Sequence, residues 1–170
     1  MDSLNVTKIL LVYYSRTGTT RKVAEAISSK LNSDIEEIRD AKSRGGILGW
    51  LKAGRDAGDK NLTVIEGLQK DPGLYDVVLI GTPIWRGTVS TPIRTYINQY
   101  RERLKLVAFF SIGDDPKSDV FEEMTDISGK EPITTLRLWR KGEVESGEYL
   151  KKLQGFTDKI LETMNMDKAS

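Results

Sequence analysis

The sequence predicts an α/β fold, a parallel sheet covered by helices on both faces. Three observations carry this reading: continuous apolar runs of strand length, helical amphipathic patterns between them, and the regular alternation of the two along 170 residues. Apolar runs that do not alternate with polar residues belong to strands covered on both sides.

Residues 8–14, Lys-Ile-Leu-Leu-Val-Tyr-Tyr, form the first such run. A helix follows in which Val23, Ala24, Ile27 and Leu31 share one face. Residues 33–38 are half polar and are expected at an edge of the sheet. An insert over residues 40–73 then breaks the rhythm. It carries six Lys/Arg against three Asp between Arg39 and Lys60, and predicts a short helix over 47–58 and an extended piece at 62–65. Long irregular connections are uncommon and often functional. Residues 77–81 and 106–110 read as buried strands. Between them Thr91 is placed as a helix cap and Pro92 at the first helical position, with Ile93, Tyr96, Ile97 and Leu104 turned inward. Asp115-Pro116 is expected to open the next helix, with Val120, Phe121, Met124 and Ile127 inside and a stop near Gly129. Residues 133–138 alternate, as an edge strand does. The last helix spaces Tyr149, Leu150, Leu153, Phe156, Ile160, Leu161 and Met164 at close to one helical repeat. The polar tail after Met166 is expected to fray, leaving residues 1–166 as one domain.

Composition narrows the chemistry. Cysteine and histidine are both absent, which removes disulfides, thiol catalysis and the commonest general base. Any demanding reaction therefore has to be carried by something bound. The net charge of +1 gives no general attraction to nucleic acid or to an anionic membrane. No apolar run approaches a membrane span of about 20 residues. Residues 1–5 lack the features of a secretion signal, so a cytoplasmic location is expected.

The most informative segment is Tyr13-Tyr14-Ser15-Arg16-Thr17-Gly18-Thr19-Thr20-Arg21. It leaves an apolar run, turns through four hydroxyl residues and one glycine, and enters a helix. Ser and Thr are favoured at helix starts for local reasons, yet four of them in six positions exceed what a cap needs. Backbone N–H groups at a helix start suit a phosphate. The turn lacks the Gly-Lys-Ser/Thr ending of a nucleotide-triphosphate loop, and with Gly18 alone it is not the dinucleotide Gly-x-Gly-x-x-Gly turn. A receiver domain would show paired acids after this strand, where Tyr-Tyr-Ser stands. A second segment, Gly81-Thr82-Pro83-Ile84-Trp85-Arg86-Gly87-Thr88, follows another apolar run and offers an aromatic face. Together the two point to a phosphorylated ring cofactor.

These residues resemble the flavodoxins. Residues 15–20 look like the flavodoxin phosphate loop, and residues 71–87 are similar to a flavodoxin-like subgroup with Pro-Ile/Val-Trp-x-Gly after the third strand and a long insert. The resemblance implies a doubly wound five-stranded parallel sheet in the order 2-1-3-4-5, with FMN at the switch between the first and third strands. That placement is the general rule for this topology, for which flavodoxin is a standard example. It implies the FMN phosphate on Ser15, Arg16, Thr17, Gly18, Thr19 and Thr20, and the ring against Thr82, Pro83, Ile84, Trp85, Arg86 and Gly87. A third loop, Ser111-Ile112-Gly113-Asp114-Asp115, would face the pyrimidine edge at Ser111, Gly113 and Asp114, its backbone amides meeting the ring carbonyls, with Asp115 capping the following helix. Gly87 would permit a peptide flip beside the flavin, at either Trp85-Arg86 or Arg86-Gly87. Trp50 either packs the insert or lines the ring edge; Trp139 reads as structural.

Two departures from the short flavodoxins stand out. The chain is nearly neutral rather than acidic, and Arg16, Arg86 and the basic insert surround the expected site. Nearby cations favour an anionic reduced flavin, and they equally suit an acidic partner or an anionic substrate. Three functions follow as expectations: an FMN electron carrier between redox partner proteins, an FMN-dependent NAD(P)H:quinone-type oxidoreductase, or an interaction module without flavin. The carrier is expected to be a monomer or weak homodimer, with no catalytic side chain and no metal.

Overall fold

The computed structural model describes residues 6–41, 61–115 and 118–169. In chain order the elements are β1 (Ile9–Tyr13), α1 (Thr19–Leu31), β2 (Asp34–Glu37), β3 (Val77–Trp85), β4 (Thr88–Val89), α2 (Thr91–Tyr100), β5 (Leu106–Gly113), α3 (Val120–Ser128), β6 (Thr135–Trp139) and α4 (Tyr149–Ala169). Five strands pair in parallel in the order β2-β1-β3-β5-β6, and the two-residue β4 turns back antiparallel on the end of β3. The predicted fold class and strand order hold, with the short β4 added.

Successive strand residues face opposite sides of the sheet, and this divides the core into two layers. Ile9, Leu11 and Tyr13 of β1 and Val77 and Leu79 of β3 pack against Val23, Ala24 and Ile27 of α1 and Leu153, Phe156 and Ile160 of α4. Leu10, Val12, Val78 and Ile80 face the other way, onto Ile93, Tyr96 and Ile97 of α2 and Val120 and Met124 of α3. Burying each such aliphatic side chain contributes about 1.5–3 kcal/mol, and both faces use it. This is why the central strands read as unbroken apolar runs.

Several boundaries differ from the sequence expectation. β3 does not stop at Gly81 but continues to Trp85, and β5 continues to Gly113, because Thr82 and Pro83 still pair with Ser111 and Ile112. Pro83 is tolerated there for a geometric reason. Gly81 accepts a hydrogen bond from the Tyr14 amide, so its polar groups face β1. Pro83, two residues on, faces the same side beyond the last β1 residue, where no ladder bond is lost. Ser90, not Thr91, is the N-cap residue of α2, while Pro92 does lie in its first turn. α2 ends at Tyr100 and continues as a tighter turn, Arg101–Arg103; Leu104 lies just past it and is still buried. α3 begins at Val120 after Asp119 rather than at Asp115. α4 extends to Ala169 rather than fraying after Met166, and Leu150 and Leu161 on it are exposed.

Residues 62–65 are extended as expected. Asp40 and Ile65 form an antiparallel bridge, and the Ala41 amide donates to the Val64 carbonyl. The helix expected over 47–58, with Trp50, lies outside the described residues.

Gly81 sets the spacing of the two central strands. A Cβ there would sit 2.0 Å from the Phe110 ring, which no core tolerates without displacement. Gly81→Ala is expected to destabilise the protein by about 2–3 kcal/mol in chemical denaturation. Adding Phe110→Leu to that variant should recover part of the loss.

Candidate functional site

The three loops picked out by sequence meet at the carboxyl ends of β1, β3 and β5. Ser15 organises the first. Its Oγ accepts hydrogen bonds from the Gly18 amide at 3.1 Å and the Arg21 amide at 3.2 Å, drawing residues 15–21 into a closed turn. Both Ser15 lone pairs are thereby used, and its hydroxyl proton remains to be donated. Gly18 sits at φ 94°, a left-handed conformation that favours glycine, with open space where a Cβ would point. Gly18 is the N-cap of α1 and offers no capping side chain, and the first turn of α1 holds no acid. The amides of the first turn have no intrahelical partners; Ser15 takes that of Arg21, and those of Thr19 and Thr20 stand at the positive end of the helix, which suits an anion. Thr17 is exposed, Arg16 and Thr19 are half-buried, and Thr20 is buried against the sheet.

The second segment is not a loop but a hairpin. Ile84 pairs with Val89 and Trp85 with Thr88, joined through Arg86 and Gly87 at φ 49° and 79°. Positive φ at both central positions belongs to the mirror-image two-residue turn that suits a twisted hairpin. Glycine accepts this freely, whereas an arginine there costs about 1–2 kcal/mol. Trp85 is half-buried, and the Tyr14 ring, itself buried, meets it edge to face at 5.4 Å between centroids. Tyr14 thus ties the phosphate-type turn to the aromatic hairpin across the β1–β3 pairing.

The remaining predicted residues divide. Thr82 and Ser111 are neighbours in register but completely buried. The Thr82 hydroxyl donates to the Ser90 Oγ at 2.9 Å and accepts the Ser90 amide at 3.1 Å, so it braces the base of the hairpin. Ser111 Oγ has no partner among the described residues. Neither side chain is exposed at the carboxyl ends of the strands. Gly113 is needed by Ile84: a Cβ there would lie 2.7 Å from the Ile84 Cβ. Asp114 turns away, accepting from Arg140 at 2.9 Å and from the Lys141 amide at 3.2 Å. Its slight burial works the other way, but these contacts hold its carboxyl below the usual range. Asp115 caps no helix; its carboxylate instead lies 3.0 Å from where a Gly87 Cβ would be. Trp139, read as structural, is 46% exposed beside Gly113 on the neighbouring strand.

Sequence reasoning missed Tyr14 as a partner of Trp85, and it missed the group behind the hairpin. Arg94 of α2 is 4% exposed and pairs with Glu123 of α3 at 2.8 Å. Glu123 accepts from the Thr88 hydroxyl and from the Val89 amide, while Arg94 reaches the Val89 carbonyl at 3.1 Å. Nothing in a lone Arg and a lone Glu 29 residues apart announces the pairing; the buried helix face of Ile93, Tyr96 and Ile97, on which Arg94 intrudes, was the available signal. A polar cavity of about 280 Å³ lies elsewhere, between β2 and residues 66–70. There Glu36 spends its carboxylate on the amides of Gln69 and Lys70, as a brace. Among the described residues no cluster suits a metal ion, and no helix is long and apolar enough to cross a membrane.

Burial raises the pKa of Glu123, but the hydrogen bond from Thr88, the Arg94 pair and the Val89 amide outweigh it and hold the carboxyl below the ordinary glutamate range. A carboxyl whose folded pKa is depressed stabilises above its unfolded pKa and loses that contribution as pH falls through the folded value. Glu123→Gln is therefore expected to cost about 3 kcal/mol near neutral pH, with the difference from the parent shrinking below the ordinary glutamate range. Denaturation midpoints measured across pH check this.

The comparisons with known proteins agree with this geometry. The chain is similar to a flavoprotein from Lactobacillus acidophilus NCFM solved in complex with FMN: 28% identity, TM-score 0.68, covering 83% of this chain and 98% of that one. The apo form of the Lactobacillus flavoprotein matches at 26% identity and TM-score 0.59, over 78% and 92%. Oxidised flavodoxin 1 from Bacillus cereus shares the fold at 16% identity and TM-score 0.58, over 92% and 98%. No curated protein matches the chain. The flavodoxin family profile matches residues 8–130, from the start of β1 past the end of α3; the chain belongs to the flavodoxin family.

Proposed function

We propose that this protein binds FMN at the carboxyl ends of β1, β3 and β5 and serves as an electron carrier between redox partner proteins. The observation that carries the reading is the juxtaposition of an acid-free helix N-terminus, whose N-cap Gly18 brings no side chain, with the half-buried Trp85, joined through Tyr14. FMN, when bound, supplies one- and two-electron redox chemistry; the chain supplies binding, orientation and field. A similar protein from Lactobacillus acidophilus was solved with FMN, which supports the same ligand here.

The amides and hydroxyls of Thr17, Thr19 and Thr20 hold the phosphate, and Ser15 keeps the turn closed while donating its proton. Gly18 leaves the approach open. Arg16 and Arg86 add positive charge near an anionic ligand. Trp85 covers the ring, and Gly113 and Ile84 shape the wall beneath it. Of the two peptides open from sequence, Arg86-Gly87 is the central peptide of the hairpin turn. The absence of His and Cys is no obstacle, since no side chain need carry a proton or a covalent bond. The carrier works as a cytoplasmic monomer or weak homodimer, without nucleic acid.

A second reading, an FMN-dependent NAD(P)H:quinone-type oxidoreductase, is favoured by the long basic insert between β2 and β3. Anaerobic titration separates the two. A carrier leaves the bound flavin oxidised on addition of NADH or NADPH, whereas rapid bleaching identifies the enzyme. The phosphate assignment has its own check. Thr17→Ala/Thr19→Ala is expected to weaken FMN by more than about tenfold while leaving riboflavin affinity nearly unchanged, as read by fluorescence quenching; equal losses for both ligands contradict it.

A further inference from the structure

The hairpin that presents Trp85 is poorly built to stand alone. β4 has two residues, and only two residue pairs join it to β3. A two-stranded hairpin is marginal in water, and here the turn places an arginine at φ 49°. Something outside the hairpin must hold it.

The Arg94–Glu123 pair stands directly behind it. Glu123 Oε2 takes the Thr88 hydroxyl and the Val89 amide at 3.3 Å; its Oε1 takes Arg94 Nε at 3.0 Å and Nη2 at 2.8 Å. Arg94 Nη2 also reaches Thr88 Oγ1 and the Val89 carbonyl, each at 3.1 Å. Both backbone polar groups of Val89 and the Thr88 side chain are therefore engaged by one ion pair drawn from two helices. Arg94 Nη1 further bonds the Asn61 carbonyl at 3.3 Å, within the insert, and the next residue, Thr95, accepts the Thr63 amide at 2.9 Å. A buried ion pair is a weak source of net stability, because desolvation cancels most of the attraction. What it does supply is a unique geometry, since every donor and acceptor around it must be met.

We infer that Arg94 and Glu123 are positioning residues for the flavin ring: they fix Thr88 and Val89, and through them the register of Trp85 and the Arg86-Gly87 peptide. They do so without touching the ligand. This rests on the FMN reading, and it assigns the ring's placement to a side-chain pair far from the phosphate turn. The pair is a rigid frame on α2 and α3, two helices themselves anchored by Ile93, Tyr96, Ile97, Val120 and Met124 in the core.

The test replaces both charges together, because losing one leaves the other buried and uncompensated. Arg94→Met/Glu123→Leu is expected to fold with a lowered denaturation midpoint, because the Val89 backbone groups and the Thr88 hydroxyl lose their partners while no unpaired charge is left buried. In that protein riboflavin affinity should fall about tenfold, the size of one well-placed contact, while inorganic phosphate protects the apo protein against heat as in the parent. The bound flavin's midpoint potential should move by about 30 mV for each tenfold difference between oxidised and reduced affinities. A Trp50→Phe/Trp139→Phe background isolates Trp85, whose emission in the apo protein should shift towards the red and lose anisotropy. Arg94→Lys should recover part of each signal by restoring the charge. A folded double variant with parental riboflavin affinity, potential and Trp85 emission overturns the inference. A parent that takes up no flavin defeats the functional reading instead, and the Trp85 emission then still decides the positioning claim.

Discussion

The rest of the site depends on the pairing of β1 with β3. The ladder runs from Ile9 opposite Val77 to Tyr13 opposite Gly81, and its last rung is the Tyr14 amide on the Gly81 carbonyl. That rung decides where two loops separated by more than sixty residues in the chain come to lie. One leads into a helix N-terminus, the other into an aromatic hairpin. In an open parallel sheet these two strand ends flank the point where the winding reverses, and a crevice forms there as a consequence of topology. Beside that rung, Gly81 leaves the space of its side chain to the Phe110 ring of β5.

Two design levels meet in this region. The phosphate-type turn is local: Ser15, Gly18 and the start of α1 shape it through contacts no more than six residues apart. The hairpin is not. Its shape depends on Thr82 with Ser90 at its base and on Arg94 with Glu123 behind it. A locally encoded half and a remotely braced half thus face each other at the carboxyl ends of β1 and β3. The field over them is also mixed, because several nearby charges are already spent: Arg21 Nη2 donates to both carboxylate oxygens of Glu37, and Arg140 donates to Asp114. Arg86 is exposed at the hairpin tip.

How much of this was legible follows from the range of the interactions. The strands and helices could be read because burial on two faces leaves long apolar runs, and because the Val23-Ala24-Ile27-Leu31 face repeats at helical spacing. Residues 15–20 could be read because hydroxyls and a glycine at a strand-to-helix turn have local consequences. The continuation of β3 could not, since Pro83 and Gly87 look like loop residues unless one knows that β1 has already ended. Ser111, Gly113 and Asp114 read as a ring-facing loop from a Gly-Asp resemblance, through their backbone amides, and Thr82 from the segment after the third strand. Where their side chains go depends on strand parity and on Arg140, neither of which a motif records. The α2 and α3 boundaries missed by one to five residues, where Thr91 and Asp115 imitated caps that Ser90 and Asp119 occupy.

Pro83 has one more effect. Above the end of β1 the flank of β3 is an unshielded strand margin, the kind of margin on which a foreign peptide can lay itself down. An imino acid at that spot offers no proton to such an intruder, and the hairpin folds back just beyond it. A residue that stands just past the last rung of the β1–β3 ladder therefore also keeps neighbouring molecules from zipping onto that margin.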